Sequence, residues 1–462
     1  MERTKRIDAE FFQRENLDVL TKVSKFECKT IADVSFVSDG NHFAISDDFE
    51  EFGIPYYRGQ DLTGNFFVEQ STPNFINEKA FWQGFMLRSH LKKGDVLLSI
   101  VGTVGSVAVV DKTFDATCSC KIAILRPKDG IKTEYLATFL YSKYGNNQIK
   151  KFVRGAVQTG FILEDTSQVK VPLLSLSFQS KIADLIQKAH AKLEESKALY
   201  AEAENLLLDE LGLRDWSPSD DSISVKSFAE SFADTGRLDA EYYQPKYDEL
   251  LKLIKNNSVG AVKTIAQISE PLRYGSSAKL NYIESGVPFL RIADITNHRF
   301  DAEKIKYISG EAASDEIFAS VETNDVLVSR SGTLGLSVSI PKHLNGSIFG
   351  SYFIRVRPDN DLIDSDFLAL YLNSKVGALQ VEQISTGGIQ TNLTVPVIEA
   401  LKIVVPSKER QKHFADAVKK SFSAQDQSKQ LLEIAKRAVE LAIETSEEAA
   451  MSWIDAKLKI LS

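Results

Sequence analysis

The stretch that decides the fold occurs twice, as DVLLSIVGTVGSVAVV at residues 95–110 and as DVLVSRSGTLGLSVSI at residues 325–340. In both copies, β-branched residues flank a Gly-Thr-x-Gly turn, which is typical of a tight hairpin. A phosphate-binding loop would carry a lysine and lead into a helix, whereas here a strand follows a strand. The sequence therefore predicts a repeated β-hairpin shaped by Gly102 and Gly105 in the first copy.

The repeat extends outward from this stretch along the chain. RIDAEFFQ at residue 6 is matched by RLDAEYYQ at residue 237, an offset of 237 − 6 = 231, which is half of the 462 residues. GIPYYRGQDL at residue 53 parallels GVPFLRIADI at residue 286, and GAVQTGFI at residue 155 parallels GGIQTNLT at residue 387. A period of this length indicates a duplicated domain and not a solenoid.

A long helix follows each globular part of the repeat. Apolar or small residues recur in steps of three and four from Phe178 and again from Phe414, which is the seam of a coiled coil. We predict an α+β fold class, with two repeated mixed α/β domains joined by two long antiparallel coiled-coil helices and related by a pseudo-two-fold axis. The predicted segments are a first domain at 1–173, a helix at 174–213, a linker at 214–225, a second domain at 226–406 and a helix at 407–450.

Composition limits the classes of protein that fit this chain. No stretch reaches about 18 consecutive apolar residues, so we expect no membrane span. The charged start MERTKRIDAEFF lacks the apolar core of a signal peptide, and three cysteines are too few for a disulfide framework, so we expect a cytoplasmic protein. The net charge of −8 argues mildly against a nucleic-acid partner, although a local surface can still be basic.

Signatures of catalysis are missing from the sequence. It contains no G-x-x-x-x-G-K-[ST], no G-x-G-x-x-G after a strand, no H-E-x-x-H and no G-x-S-x-G. Cys118 and Cys120 have no second pair of ligands, so we expect two small residues in a strand and no metal site. We predict that this chain is not an enzyme and carries no cofactor of its own.

The order of these motifs, repeated twice, resembles the DNA-specificity subunit of type I restriction–modification systems. The resemblance covers essentially the whole chain and rests on R-[IL]-D-A-E-[FY]-[FY]-Q, G-[IV]-P-[YF]-[YL]-R, G-T-[VL]-G, G-x-[VI]-Q-T, the V-P before each helix, and the helices themselves. It implies two target-recognition domains that each read one half of a split site in double-stranded DNA. It also implies that the helices bind two methyltransferase subunits, which carry S-adenosylmethionine, and that motor–nuclease restriction subunits join the complex.

Base readout requires polar side chains on loops, with arginine pairing to guanine and asparagine or glutamine to adenine. Arg58 and Arg291 match between the halves, which favours phosphate contact or fold support over base readout. Arg330 replaces Ile100 of the first half, so it is the stronger candidate for DNA contact. The glutamines of the G-x-[VI]-Q-T stretch could instead bond backbone within a turn. The full candidate set is Asn41, His42, Tyr57, Arg58, Gln60, Arg154, Gln158, Tyr274, Arg291, Arg330, Ser331, Gln390 and Asn392.

Two alternatives to this interpretation stay open at this point. The first is a twin-domain coiled-coil scaffold that joins proteins without DNA specificity, which the acidic net charge slightly favours. The second is an enzyme with an unrecognised site, which the missing signatures disfavour. If the helices bind partners, the predicted contact residues are Ile182, Leu185, Leu193, Tyr200, Leu207, Phe414, Val418, Leu432 and Val439.

Overall fold

A computed structural model describes residues 12–62, 64, 66–70, 74–153, 160–219, 221, 223–256, 259–385 and 392–461. The chain divides into two compact units. The first consists of Met1–Glu194 with Ala424–Ser462, and the second is Glu195–Ser423. Each unit therefore combines one globular part with portions of both long helices. Across the described ranges, no helix is both long and apolar enough to cross a membrane.

The first half of the chain contains short elements followed by one long helix. Its helices are α1 (Arg14–Val23), α2 (Ile31–Val34), α3 (Glu78–Phe81), α4 (Thr133–Tyr141), α5 (Lys143–Phe152), α6 (Leu163–Ser167) and α7 (Leu176–Glu210). Its strands are β1 (Cys28–Thr30), β2 (Ser35–Asp39), β3 (Phe49–Glu50), β4 (Ile54–Tyr57), β5 (Phe75–Ile76), β6 (Val96–Ser99), β7 (Val107–Val109), β8 (Thr117–Cys118), β9 (Ile122–Pro127) and β10 (Lys170–Pro172).

The second half repeats this pattern. Its strands are β11 (Ala261–Thr264), β12 (Arg273–Tyr274), β13 (Val287–Leu290), β14 (Ile295–Thr296), β15 (Arg299–Phe300), β16 (Lys306–Ile308), β17 (Val326–Ser329), β18 (Ser337–Ser339), β19 (Ile348–Phe349), β20 (Phe353–Val356) and β21 (Lys402–Val405). Its helices are α8 (Phe232–Thr235), α9 (Pro245–Lys255), α10 (Gly310–Asp315), α11 (Ser365–Asn373), α12 (Lys375–Ser385), α13 (Val395–Glu399), α14 (Lys408–Glu444) and α15 (Glu447–Leu461).

The larger sheets of the two units have the same topology. In the first unit an antiparallel sheet has the order β2-β9-β6-β7, and in the second unit the order is β12-β20-β17-β18. A second sheet contains one parallel pair in each unit, β4 with β8 and β13 with β19. A two-stranded ribbon, β1 with β10 or β11 with β21, lies next to the start of the long helix along the chain. The predicted α+β fold with a duplicated domain is confirmed.

The predicted hairpin is also confirmed in both copies. β6 pairs antiparallel with β7, and β17 pairs antiparallel with β18. The four turn glycines have φ between +74° and +94°, a region that favours glycine because a Cβ is strained there. The Gly105 N–H donates to the Ser99 carbonyl at 3.0 Å, and the Gly335 N–H donates to the Ser329 carbonyl at 2.9 Å. The turn is therefore a scaffold common to both units.

Buried polar side chains repeat as faithfully as the strands do. The amide of Gln148 bonds both backbone groups of Lys170 at 3.0 Å, and Gln380 bonds both backbone groups of Lys402 at 3.0 and 2.8 Å. These clamps join α5 to β10 and α12 to β21. Because each glutamine is buried, its amide needs these partners, and the clamp fixes the strand that leads into each long helix.

The long helices pair in antiparallel orientation within each unit. In the first unit the early part of α7 meets the late part of α14, where the Ser428 hydroxyl donates to the Ala189 carbonyl at 2.6 Å. In the second unit the late part of α7 meets the early part of α14, where the Ser196 and Ser421 hydroxyls lie 3.1 Å apart. Small residues at these points let the two backbones approach closely, as the predicted seam requires.

The end of the second long helix differs from the prediction. It was expected to reach residue 450, but α14 ends at Glu444 and a separate helix, α15, begins at Glu447. The break falls at Ser446, whose hydroxyl accepts a bond from the Ala449 N–H at 3.2 Å and so caps α15. Ala450 and Ile454 of α15 are buried in the core of the first unit.

Candidate nucleic-acid interface

In the second unit, four polar or aromatic residues converge where strands of the larger sheet end. Tyr274 ends β12, Arg330 follows β17, Tyr352 precedes β20, and Asn392 precedes α13. The Arg330 N–H donates to the Tyr352 carbonyl at 2.8 Å, and the Leu393 N–H donates to the Arg330 carbonyl at 2.9 Å. We call Tyr274, Arg330, Tyr352 and Asn392 the second rim.

The Arg330 guanidinium is held in place by its neighbours on this rim. Its Nε donates to the Leu393 carbonyl at 3.0 Å, and its central carbon lies 5.0 Å from the centre of the Tyr274 ring. The Tyr274 hydroxyl in turn accepts a bond from the Val395 N–H at 3.0 Å. A cation over an aromatic face is attracted by the ring quadrupole, so the Tyr274 ring helps to order the arginine.

Strand register identifies the equivalent positions in the first unit. Ser99 pairs with Ile122 as Ser329 pairs with Phe353, so Lys121 corresponds to Tyr352 and Ile100 to Arg330. Asp39 pairs with Ala123 as Tyr274 pairs with Ile354, so Asp39 corresponds to Tyr274. The Phe161 N–H donates to the Ile100 carbonyl at 2.9 Å, as the Leu393 N–H donates to the Arg330 carbonyl, so Gly160 corresponds to Asn392 in the repeat. We call Asp39, Ile100, Lys121 and Gly160 the first rim.

The first rim has different chemistry on the same backbone. One oxygen of the Asp39 carboxylate lies 2.6 Å from Nη2 of Arg88, and the other lies 2.6 Å from Nε2 of His42. Ile100 is buried in the core, so at this position the first unit presents no side chain to the surface, unlike Arg330 in the second. Sequence reasoning missed Arg88, because it lies 49 residues from Asp39 and no repeated motif contains it.

Two of the residues predicted to contact DNA have buried side chains, which contradicts that role for them. Asn41 is 3% exposed, and its side-chain amide bonds both backbone groups of Phe43 at 2.9 Å. Tyr57 is 2% exposed, and its hydroxyl donates to the Glu69 carbonyl. Burial raises the pKa of the Tyr57 hydroxyl, so it stays protonated. Neither side chain can reach a base, because each already completes the interior of the first unit.

The matched arginines form matched local ion pairs. The Arg58 backbone N–H donates to Asp61 at 2.8 Å and its Nε lies 3.5 Å from the same carboxylate. The Arg291 backbone N–H donates to the buried Asp294 at 2.9 Å and its Nη2 lies 2.5 Å from the other carboxylate oxygen. Hydrogen bonding to Asp294 raises the pKa of Arg291. Both arginines thus brace the turn after a strand, which supports the fold-support interpretation over base readout.

The remaining candidates fall into two groups. His42, Gln60 and Asn392 are exposed and Ser331 is half-buried, so all four can reach solvent. Arg154, Gln158 and Gln390 lie outside the described residues, so their predicted roles stay predictions.

Comparison with known proteins gives a family for this arrangement. Residues 23–205 and 255–436 match the type I restriction modification DNA specificity domain, one copy in each half of the chain. The chain belongs to this family.

Individual relatives are distant. The specificity subunit of the StySPI type I restriction enzyme of Salmonella potsdam is 24% identical over 336 residues, which is 70% of this chain and 66% of that protein. The specificity subunit of the EcoBI enzyme of Escherichia coli is 25% identical over 165 residues, which is 36% of this chain and 35% of that protein. These matches thus span from about a third to about two thirds of the relatives' lengths. Among solved structures, the S subunit of a type I restriction–modification system from M. genitalium is 15% identical with a TM-score of 0.39, covering 90% of this chain and 95% of that one.

Within this family assignment, the predicted partner contacts on the helices need correction. Of the nine predicted contact residues, six are buried in the cores of their own units, and Leu193, Tyr200 and Leu432 are half-buried against those cores. A partner that binds α7 or α14 would therefore contact their outward faces. The buried side chains are Ile182, Leu185, Leu207, Phe414, Val418 and Val439.

Cys118 is buried in β8, and burial raises the pKa of its thiol, so it stays protonated. In the part of the chain that the structure describes, no three His, Cys, Asp or Glu side chains lie close enough together to hold a metal ion.

Proposed function

We propose that this chain is the DNA-specificity subunit of a type I restriction–modification complex. In this proposal it recognises a bipartite target with a fixed gap and directs adenine methyltransferase and restriction subunits to it. The chain itself is not catalytic. S-adenosylmethionine and the reacting groups belong to two methyltransferase subunits, and motor–nuclease subunits cleave.

The comparison of the two rims carries this proposal. The units share the topology of their larger sheet, their hairpin glycines and their glutamine clamps, but they differ at all four rim positions. If the two units had only a scaffolding role, we would expect their sequence differences to be spread over the whole surface. Divergence at matched strand ends, where arginine, lysine and tyrosine side chains reach solvent, fits two domains that read two different half-sites.

The long helices support a fixed gap. α7 has 35 residues and begins in the first unit and ends in the second. At about 1.5 Å per residue it is about 52 Å long, which corresponds to about 15 base pairs at about 3.4 Å each. In this proposal the paired helices act as the spacer, so the half-sites should be separated by a constant number of unspecified pairs.

The proposal places the chain in the cytoplasm. Its three cysteines are free thiols, which is usual in a reducing compartment.

The test is to produce the chain with its methyltransferase subunits and sequence adenine methylation in genomic DNA. We expect one split motif with two different halves and a constant gap. We also expect binding of duplex DNA by the complex to weaken steeply as salt rises, because phosphate contacts release counterions. Methylation without any split motif, together with salt-insensitive DNA binding, would refute the proposal and favour the protein scaffold.

A further inference from the structure

Each unit has an arginine held by the residue at the matching strand end, and we infer that these arginines, Arg88 and Arg330, each read a guanine in one half-site. This inference deepens the proposed function and rests on it. It gives Arg88, which the repeat does not mark, the role in the first unit that Arg330 has in the second.

The two arginines come from different positions of the repeat. Arg88 lies in a short 3₁₀ helix, Leu87–Ser89, whose counterpart Ile317–Ala319 carries Phe318 at the equivalent position. The bonds after the two 3₁₀ helices confirm this equivalence, since the Leu91 N–H donates to the Ala116 carbonyl at 3.0 Å and the Val321 N–H to the Ser347 carbonyl at 2.9 Å. Each unit thus has arginine at one of two positions and an apolar residue at the other.

The residue at the strand end holds the guanidinium in both units. Asp39 ends β2 and pairs with Arg88 at 2.6 Å, whereas Tyr274 ends β12 and places its ring 5.0 Å from the Arg330 guanidinium. Each guanidinium also donates to a backbone carbonyl, Arg88 to that of Gly40 at 3.2 Å and Arg330 to that of Leu393 at 3.0 Å. The same strand end therefore orders an arginine by an ion pair in one unit and by a cation–π contact in the other.

Each guanidinium keeps free donors after these bonds. Nε and Nη1 of Arg88, and Nη2 of Arg330, donate to no group among the described residues. The Arg88 side chain is 55% exposed. Arg88 offsets the charge of the Asp39 carboxylate, which would otherwise repel DNA phosphate.

Guanine is the base that fits such donors. Its major-groove edge offers two acceptors, O6 and N7, whereas adenine places an amino donor beside N7 that opposes an arginine N–H. A free arginine side chain loses rotamer entropy when it is fixed. Because Asp39 and Tyr274 already fix the guanidinium, more of the contact energy is available for discrimination.

The experiment uses the complex with its methyltransferase subunits and compares methylated motifs. Arg88→Ala should relax one guanine position in one half-site, lowering the preference for guanine roughly 10- to 100-fold. Arg330→Ala should do the same in the other half-site only. Asp39→Asn should weaken discrimination at the Arg88 position, and its effect should not add to that of Arg88→Ala, because Asp39 acts by positioning the arginine.

Two further variants separate reading from folding. Arg88→Lys keeps the charge but loses the planar fork, so we expect total methylation to persist while guanine discrimination falls. Arg14→Ala removes an exposed arginine on α1 whose Nε lies 4.0 Å from Asp18, and the motif should not change. If wild type gives a split motif but Arg88→Ala leaves it unchanged, or relaxes both halves equally, this inference is wrong while the proposed function stands. If wild type gives no split motif, the proposed function itself fails.

Discussion

Replacing Glu444 with glutamine tests how α14 is fastened to the globular part of the first unit. The Glu444 carboxylate accepts bonds from Arg437 at 2.9 and 3.2 Å, from the Tyr144 hydroxyl at 3.2 Å, and it pairs with Lys143. Its side chain is 20% exposed. Burial alone would raise the pKa of Glu444, but hydrogen bonds and charges from Arg437 and Lys143 lower it from 4.5 to about 2.

The size of the effect follows from that pKa. A fall from 4.5 to about 2, at about 1.36 kcal/mol for each pKa unit, contributes about 3 kcal/mol to the free energy of unfolding. The pKa is lower in the folded state than in the unfolded state. The contribution is therefore complete above about pH 4.5 and is lost as the pH falls toward 2. At pH 3.5 about 2 kcal/mol of it should remain.

The assay is urea unfolding of wild type and Glu444→Gln at pH 7 and at pH 3.5, followed by circular dichroism. Glutamine mimics the protonated acid, so the variant should be less stable by about 3 kcal/mol at pH 7 and by about 2 kcal/mol at pH 3.5. Glu433→Gln is the control on the same helix. Its ion pair with Lys436 is exposed and should contribute at most about 0.5 kcal/mol. An equal cost of Glu444→Gln at both pH values would refute the reasoning, since it would trace the loss to packing and not to charge.

Three other predictions concern the turn, the clamps and the gap. Gly335→Ala should lower the free energy of unfolding by about 2 kcal/mol or more, because φ is +79° and the new Cβ would lie 2.8 Å from Cγ2 of Val381. Gly332→Ala, at φ +74° in open space, should cost about 1 kcal/mol. Equal costs of the two variants in urea unfolding would contradict this. Gln148→Ala and Gln380→Ala should each cost about 2 kcal/mol and speed amide exchange in β10 and β21 respectively, and exchange that changes in the other ribbon would count against the clamp. A heptad inserted into both α7 and α14 adds about 10.5 Å, so the methylated motif should gain about three unspecified base pairs with unchanged halves. A constant gap would exclude the helices as the spacer.

The features that sequence could predict are those encoded by local pattern. The hairpin followed from the spacing of Gly102 and Gly105 between β-branched residues, and the helix pairing followed from a regular apolar seam. The duplicated fold followed from the repeat alone. Each of these signals is contained in a short segment or in its copy, so no knowledge of distant contacts was needed.

The features that sequence missed depend on contacts between distant residues. Residue type made Asn41 and Tyr57 candidates for base readout, but the fold turns both side chains inward. The clamp from Gln148 to Lys170 joins residues 22 apart, and a glutamine gives no sign of its partner. The support of Arg330 by Tyr274 likewise crosses between strands that are remote along the chain.

The sequence alone predicts that one α+β unit occurs twice in this protein, each copy with a glycine-containing turn and a long helix that pairs with the other. It also marked Arg330 as the place where the halves diverge. Only the tertiary structure shows that Ile100 is buried and that Arg88, from another loop, ion-pairs with Asp39 at the matching strand end of the first unit. The physical reason is that side chains from different loops can reach the same strand end, so equivalent surface chemistry need not occupy equivalent positions in the repeat.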